Sequence, residues 1–212
     1  MNLEQLKVYL VTDRPLCLGR PLEWIVEEAV RGGATMVQLR EKEASTRDFV
    51  AMGLKLKELL APMGVPLIIN DRIDVALAVD ADGVHIGQSD MPYEMARRLL
   101  GPDKIIGLSV ENMDEVLAAN RFDVDYVGVS PVYGTPTKTD TATPFGLDGL
   151  RRAAALSVHP AVAIGGMNER TAPGAFAAGA SGIAVVSAIC SAPDPHAAAR
   201  RLAELAASAC AR

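Results

Sequence analysis

Pro66-Leu67-Ile68-Ile69-Asn70-Asp71 is an apolar run that ends abruptly in two polar side chains. The apolar part does not alternate, so it reads as a strand covered on both faces, as in a parallel sheet. The polar pair then marks the end of that strand as a place where something is bound. Seven more short runs read as strands, at residues 7–12, 35–39, 83–86, 104–108, 126–129, 161–164 and 182–186. Longer amphipathic stretches fill the gaps. In the second of these, Phe49, Leu56 and Leu60 fall on one helical stripe with Leu59 beside it, and Ser45-x-x-Asp48 reads as a capping box. Asn112-x-x-Glu115 and Asn168 read as later helix starts. Gly32-Gly33, Gly101-Pro102 and Gly179 read as stops. Trp24 is expected to pack a helix against the sheet.

Eight strand–helix units in 212 residues leave about 26 residues per unit, which suits the compact end of the α/β (β/α)8 TIM barrel. A doubly wound sheet is the alternative, but it would use fewer strands and have no reason to close. No linker, low-complexity segment or composition change divides the chain, so residues 1–212 read as a single (β/α)8 barrel domain.

Half of the residues are apolar and the formal net charge is −5. Such a chain offers no basic face to nucleic acid. No apolar stretch reaches membrane-spanning length, and the first residues lack the pattern of a secretory signal. Cys17, Cys190 and Cys210 are odd in number and widely spaced, and no Cys-x-x-Cys occurs. Reduced thiols in a cytoplasmic protein are the expectation. The partners to expect are small molecules, with no nucleic acid and no membrane. The sequence leaves open whether the chain forms a homo-oligomer.

A barrel places its chemistry just after the strands, at the carboxyl face. The polar residues follow that rule. The second strand leads into Gln38, Arg40 and Lys42, which share a face if the extended chain continues. Arg40 supplies a planar fork for phosphate oxygens and Lys42 a point charge, although either also reads as a surface cation. The third strand ends in Asn70-Asp71. The fourth brings His85, Gln88 and Asp90, and the fifth Ser109. Asp71 and Asp90 read either as helix N-caps or as a carboxylate pair around a cation, for which Mg²⁺ is the natural choice beside a phosphate. His85 reads as an acid–base group or as a hydrogen-bonded residue near the barrel rim. After the sixth strand comes a long, Thr-rich connection, residues 130–146, with Thr135, Thr137 and Lys138. So long a loop in a compact domain implies a task. Lid service is the expectation, with Gly134 and Gly146 as hinges. Gly165-Gly166 and Val186-Ser187 follow the last two strands, where barrels often build a phosphate cup from backbone N–H groups.

With these residues in place the chain resembles the thiamine phosphate synthase family over essentially its whole length. The matching motifs are Tyr9-Leu10-Val11-Thr12-Asp13, Gln38-Leu39-Arg40-Glu41-Lys42, Ile69-Asn70-Asp71, Asp82-Gly83-Val84-His85-Ile86-Gly87-Gln88, Gly107-Leu108-Ser109, Thr135-Pro136-Thr137-Lys138 and Ala163-Ile164-Gly165-Gly166. Each is short, but their order and spacing together are specific.

The resemblance implies a transferase. It would join 4-amino-5-hydroxymethyl-2-methylpyrimidine diphosphate to a thiazole phosphate, giving thiamine phosphate and diphosphate. It implies that Gln38, Leu39, Arg40, Glu41, Lys42, Asn70 and Lys138 hold the pyrimidine diphosphate and that Ser109 contacts the pyrimidine. Asp71 and Asp90 would ligate Mg²⁺. Thr135, Pro136, Thr137, Gly165, Val186 and Ser187 would hold the thiazole phosphate. Arg40, Lys42, Lys138 and Ser109 would carry the catalysis.

Three rivals follow from the same features. A thiazole tautomerase on a similar barrel would not need Arg40, Lys42, Asp71 and Lys138. A sugar-phosphate epimerase or aldolase should show a base or a Schiff-base lysine inside a strand. A non-catalytic thiamine-precursor binding protein would have no use for charges that stabilise a leaving group.

Overall fold

The protein is described by a computed structural model covering residues 1–134 and 143–210. Its eight strands are β1 (Val8–Val11), β2 (Met36–Leu39), β3 (Leu67–Asn70), β4 (Gly83–Ile86), β5 (Ile105–Val110), β6 (Tyr126–Val129), β7 (Ala161–Ile164) and β8 (Gly182–Val185). They pair in sequence order, all parallel, and β8 returns to β1 through Val8↔Ile183, Tyr9↔Ala184 and Leu10↔Val185. The result is a closed (β/α)8 TIM barrel. The helices of the described residues are α1 (Leu22–Arg31), α2 (Thr46–Leu60), α3 (Ile73–Ala78), α4 (Tyr93–Leu100), α5 (Met113–Ala119), α6 (Gly146–Leu156), α7 (Ala172–Ala177), α8 (Ser187–Cys190) and α9 (Pro195–Cys210).

Strand alternation splits the core in two. Val8, Leu10, Val37 and Leu39 point outward into the layer shared with the helices. Tyr9, Val11, Met36 and Ile68 point inward and fill the barrel with Leu6, Tyr126, Val162 and Ala184. Both faces of the strands are therefore largely apolar, with Gln38 and His85 as buried polar exceptions, which is why the runs show little alternation in sequence. At the amino end of the barrel the chain approaches itself closely. A Cβ on Gly182 would overlap the Leu6 carbonyl of the turn that closes the floor. Gly182→Val is expected to destabilise the fold by about 2–3 kcal/mol, the penalty of an overpacked core. A denaturation midpoint equal to that of the parent chain would show that the approach is not so close.

Local expectations fare unevenly. On α1, Leu22, Ile25, Val26 and Ala29 form the buried stripe. Trp24 lies off that stripe, 41 % exposed, with the Arg20 guanidinium 5.8 Å from its ring centre, so it does not pack the helix against the sheet. The Ser45 hydroxyl accepts the Asp48 N–H as an N-cap should. The reciprocal half of the capping box is replaced, because the Asp48 carboxylate accepts a hydrogen bond from the Ser45 hydroxyl instead. Asn112 caps α5 by accepting the Glu115 N–H. Asn168 sits in a turn ahead of α7, whose N-cap residue is Thr171. Cys17 and Cys190 are buried free thiols.

Candidate active site

Gln38 is the last inward-facing residue of β2, because the strand ends at Leu39. The two-residue alternation expected through residue 42 therefore covers Gln38 alone. Arg40 and Lys42 follow the strand and still face the same cavity, whose volume is about 680 Å³ at the carboxyl end of the barrel. The Arg40 N–H is held by the Thr12 hydroxyl at 3.0 Å. Its guanidinium donates to Asp13 at 3.3 Å. Lys42 Nζ donates to Asp71 Oδ2 at 2.7 Å. Leu39 and Glu41 point elsewhere. Leu39 is fully buried against the helix layer, and Glu41 is taken up by Arg14 at 2.7 Å. Neither side chain lines the cavity, so the motif Gln38 to Lys42 offers alternate side chains rather than five.

Across the mouth, β3 delivers Asn70, whose amide donates to the Asp71 carboxylate. Asp71 has φ +62°, in the left-handed region that aspartate tolerates better than most residues. Neither carboxylate caps the helix after it. The N-cap residue of α3 is Arg72 and that of α4 is Pro92, each without a side-chain cap bond. Asp90 instead reaches back to accept the Gly87 N–H at 2.7 Å. Burial pushes the Asp90 carboxyl up, and the neighbouring Asp71 pushes it further, against the pull of the Gly87 N–H and Lys42. Two carboxylates thus face each other with one ammonium beside them.

Ser109 lines the cavity from β5, and its carbonyl accepts from Gln88 at 2.6 Å. His85 is 6 % exposed and hydrogen-bonded at both ring nitrogens, to the Tyr126 hydroxyl at 2.9 Å and to Ser109 Oγ at 2.8 Å. The opposite wall holds Gly165, Gly166, Val186 and Ser187. Gly165 and Gly166 have φ +93° and +68°, and a Cβ on either would strike Pro131 or Tyr133, so only glycine lets the two loops touch. Thr135, Pro136, Thr137 and Lys138 lie outside the described residues, as does the central part of the expected lid. Gly134, just ahead of them, lines the cavity. Glu111, Ser130, Met167 and Asn168 also line it, and none of them was expected from sequence as a site residue. Glu111 was within reach, being two residues past Ser109 and the first residue beyond β5.

A closed parallel barrel with cations, paired carboxylates and a glycine-rich wall gathered at its carboxyl mouth has the organisation of a barrel enzyme acting on an anionic substrate. Residues 8–189 match the sequence model of the family described as thiamine monophosphate synthase. A thiamine-phosphate synthase of Albidiferax ferrireducens is 56 % identical over 97 % of this chain and 94 % of its own length. One of Vibrio campbellii is 52 % identical over 92 % of this chain and 96 % of its own. The solved thiamine phosphate pyrophosphorylase of Pyrococcus furiosus superposes with a TM-score of 0.90 at 40 % identity, covering 98 % of this chain and 99 % of that one. The chain belongs to the thiamine monophosphate synthase family, and it is a transferase of thiamine biosynthesis.

Proposed function

We propose that this mouth joins 4-amino-5-hydroxymethyl-2-methylpyrimidine diphosphate to a thiazole phosphate, releasing diphosphate and forming thiamine phosphate. One observation carries the reading: Arg40, Lys42, Asp71 and Asp90 share a cavity with Gly165, Gly166, Val186 and Ser187. That gives one polar wall for a diphosphate and another for a phosphate monoester.

The carboxylate pair fits Mg²⁺. Among the described residues no cluster of three or more His, Cys, Asp or Glu side chains forms. An ion at Asp71 and Asp90 would complete its shell with water and phosphate oxygens, as Mg²⁺ habitually does. Bound there, it would supply positive charge to the diphosphate oxygens.

The chain's own cations do the rest. As the bond between the pyrimidine methylene and the diphosphate oxygen breaks, its electron pair leaves with the diphosphate. Arg40 and Lys42, with Lys138 by the family resemblance, stabilise the charge that grows there. The amino-substituted ring spreads the positive charge left on the methylene. The lone pair of the thiazole nitrogen then forms the new carbon–nitrogen bond. No side chain need remove a proton from the reacting carbon, which agrees with a site whose histidine is spoken for at both nitrogens. The walls must position the two substrates and exclude water.

The test mixes both substrates with Mg²⁺ and follows diphosphate release. Release that requires the thiazole phosphate and stops with a chelator is expected. Release without the thiazole phosphate, or none with both substrates present, contradicts the proposal. Conversion of a thiazole phosphate alone would instead select the tautomerase reading.

A further inference from the structure

Beneath the cavity a row of hydrogen bonds crosses the inside of the barrel from β2 to β5. Gln38 Nε2 donates to the Tyr9 hydroxyl at 2.8 Å. The Tyr9 and Tyr126 hydroxyls are 2.8 Å apart. Tyr126 meets His85 Nδ1 at 2.9 Å, and His85 Nε2 meets Ser109 Oγ at 2.8 Å. Gln38 and Ser109, the two ends, line the cavity. Tyr9 and Tyr126 are fully buried and do not.

We propose that this row is a proton-ordered relay in which Tyr9 and Tyr126 are positioning residues. It fixes opposite hydrogen-bonding characters on two walls of the cavity: an acceptor at Gln38 and a donor at Ser109. The proposal rests on the reaction given above for the identity of the substrate, though not for the geometry.

With the Gln38 amide turned so that Nε2 faces Tyr9, proton counting sets the direction. Each phenol has one proton to give. Tyr9 accepts the Gln38 N–H, so its own O–H donates to the Tyr126 oxygen. The Tyr126 O–H then donates to the bare His85 Nδ1. The imidazole is left protonated at Nε2 and donates to Ser109. The Ser109 hydroxyl proton is left for the cavity, and so is Gln38 Oε1. In the reverse direction the Tyr9 oxygen would receive from both neighbours. Its proton would then have no acceptor among the described residues, in a fully buried place. Burial, above all, holds both phenols well above their ordinary range, so each remains an O–H.

The barrel makes room for the relay. A Cβ on Gly107 would overlap the Tyr126 ring and crowd His85, and one on Gly128 would crowd Ile164 and His85. Gly107 is in register with both His85 and Tyr126, so the His85–Tyr126 stack occupies the volume that a side chain at 107 would fill. An aminopyrimidine edge offers an N–H donor beside a ring-nitrogen acceptor. An acceptor at Gln38 suits the amino N–H and a donor at Ser109 suits a ring nitrogen, and the pair disfavours an oxo-substituted ring, whose N–H and C=O are exchanged.

Nitrogen-15 spectra of the histidine-labelled protein, without substrate, read the relay directly. The His85 signals are assigned as those missing from His85→Gln. Protonation at Nε2 with a bare Nδ1 is expected, and protonation at Nδ1 would overturn the proposal. In Tyr126→Phe the tautomers should mix, and the KM for the pyrimidine diphosphate should rise about tenfold, the loss of one well-made hydrogen bond. The KM for the thiazole phosphate should not move. An unchanged tautomer and an unchanged pyrimidine KM in folded Tyr126→Phe would also overturn it, and Tyr9→Phe serves if that variant does not fold. A failure of the proposed reaction would show in the diphosphate-release assay and would leave the substrate-free spectra standing.

Discussion

Arg40→Ala is expected to lower turnover by roughly 10²–10³-fold in a barrel that still folds, the range seen when one group that stabilises a leaving oxyanion is removed. Arg40 is placed to act this way because its backbone is pinned by Thr12 and its guanidinium is oriented by Asp13 while it faces the cavity. Truncation removes the fork and also leaves the Asp13 carboxylate, still accepting the Leu16 N–H, without its guanidinium beside a substrate that is itself negative. Both effects weaken the same step. Arg40→Lys should recover only part of the loss, because a point charge cannot present two parallel donors to phosphate oxygens. Steady-state rates with saturating Mg²⁺ decide the matter. Near-normal turnover in Arg40→Ala would remove Arg40 from the reaction.

Asp71→Ala should have an effect of similar size, about 10²-fold or more in turnover, together with loss of most of the dependence on Mg²⁺. The melting temperature should fall little, since Asp71 caps no helix and its ion pair with Lys42 lies at the cavity mouth, where such pairs contribute little. Alanine is less at ease than aspartate at φ +62°. Asp71→Asn keeps that tolerance and tests the charge alone. A large drop in melting temperature with Mg²⁺ dependence intact in either variant would assign Asp71 to the fold.

Much of the barrel could be read from the chain because a parallel strand covered on both sides has no choice but to be apolar. Residues 66–69 and 161–164 announce themselves in that way, and the polar residues after them mark the mouth. The period of two says which side chains share a face, but not where a strand stops. β2 ends before Arg40, so the alternation that set Arg40 and Lys42 apart from Glu41 ran beyond the strand that justified it, although Arg40 does face the cavity and Glu41 pairs with Arg14. Leu39 stood inside a binding motif, yet its side chain belongs to the outer core. Trp24 shows the converse error, a large apolar residue taken for a packing residue when its helix buries a different stripe. Tyr9 and Tyr126 could not have been paired from sequence. They are 117 residues apart, and only closure of the barrel brings their hydroxyls together. Glu111 was available by extending the alternation of β5 two residues beyond Ser109, and the cavity confirms that it lies on that face.

The central claim is that paired carboxylates and cations at one mouth hold a diphosphate through Mg²⁺. A calorimetric titration of the protein with inorganic diphosphate, run once with Mg²⁺ and once with a chelator, tests it most directly. Binding that needs Mg²⁺ is the predicted result. Diphosphate bound equally tightly without any divalent cation would contradict the account.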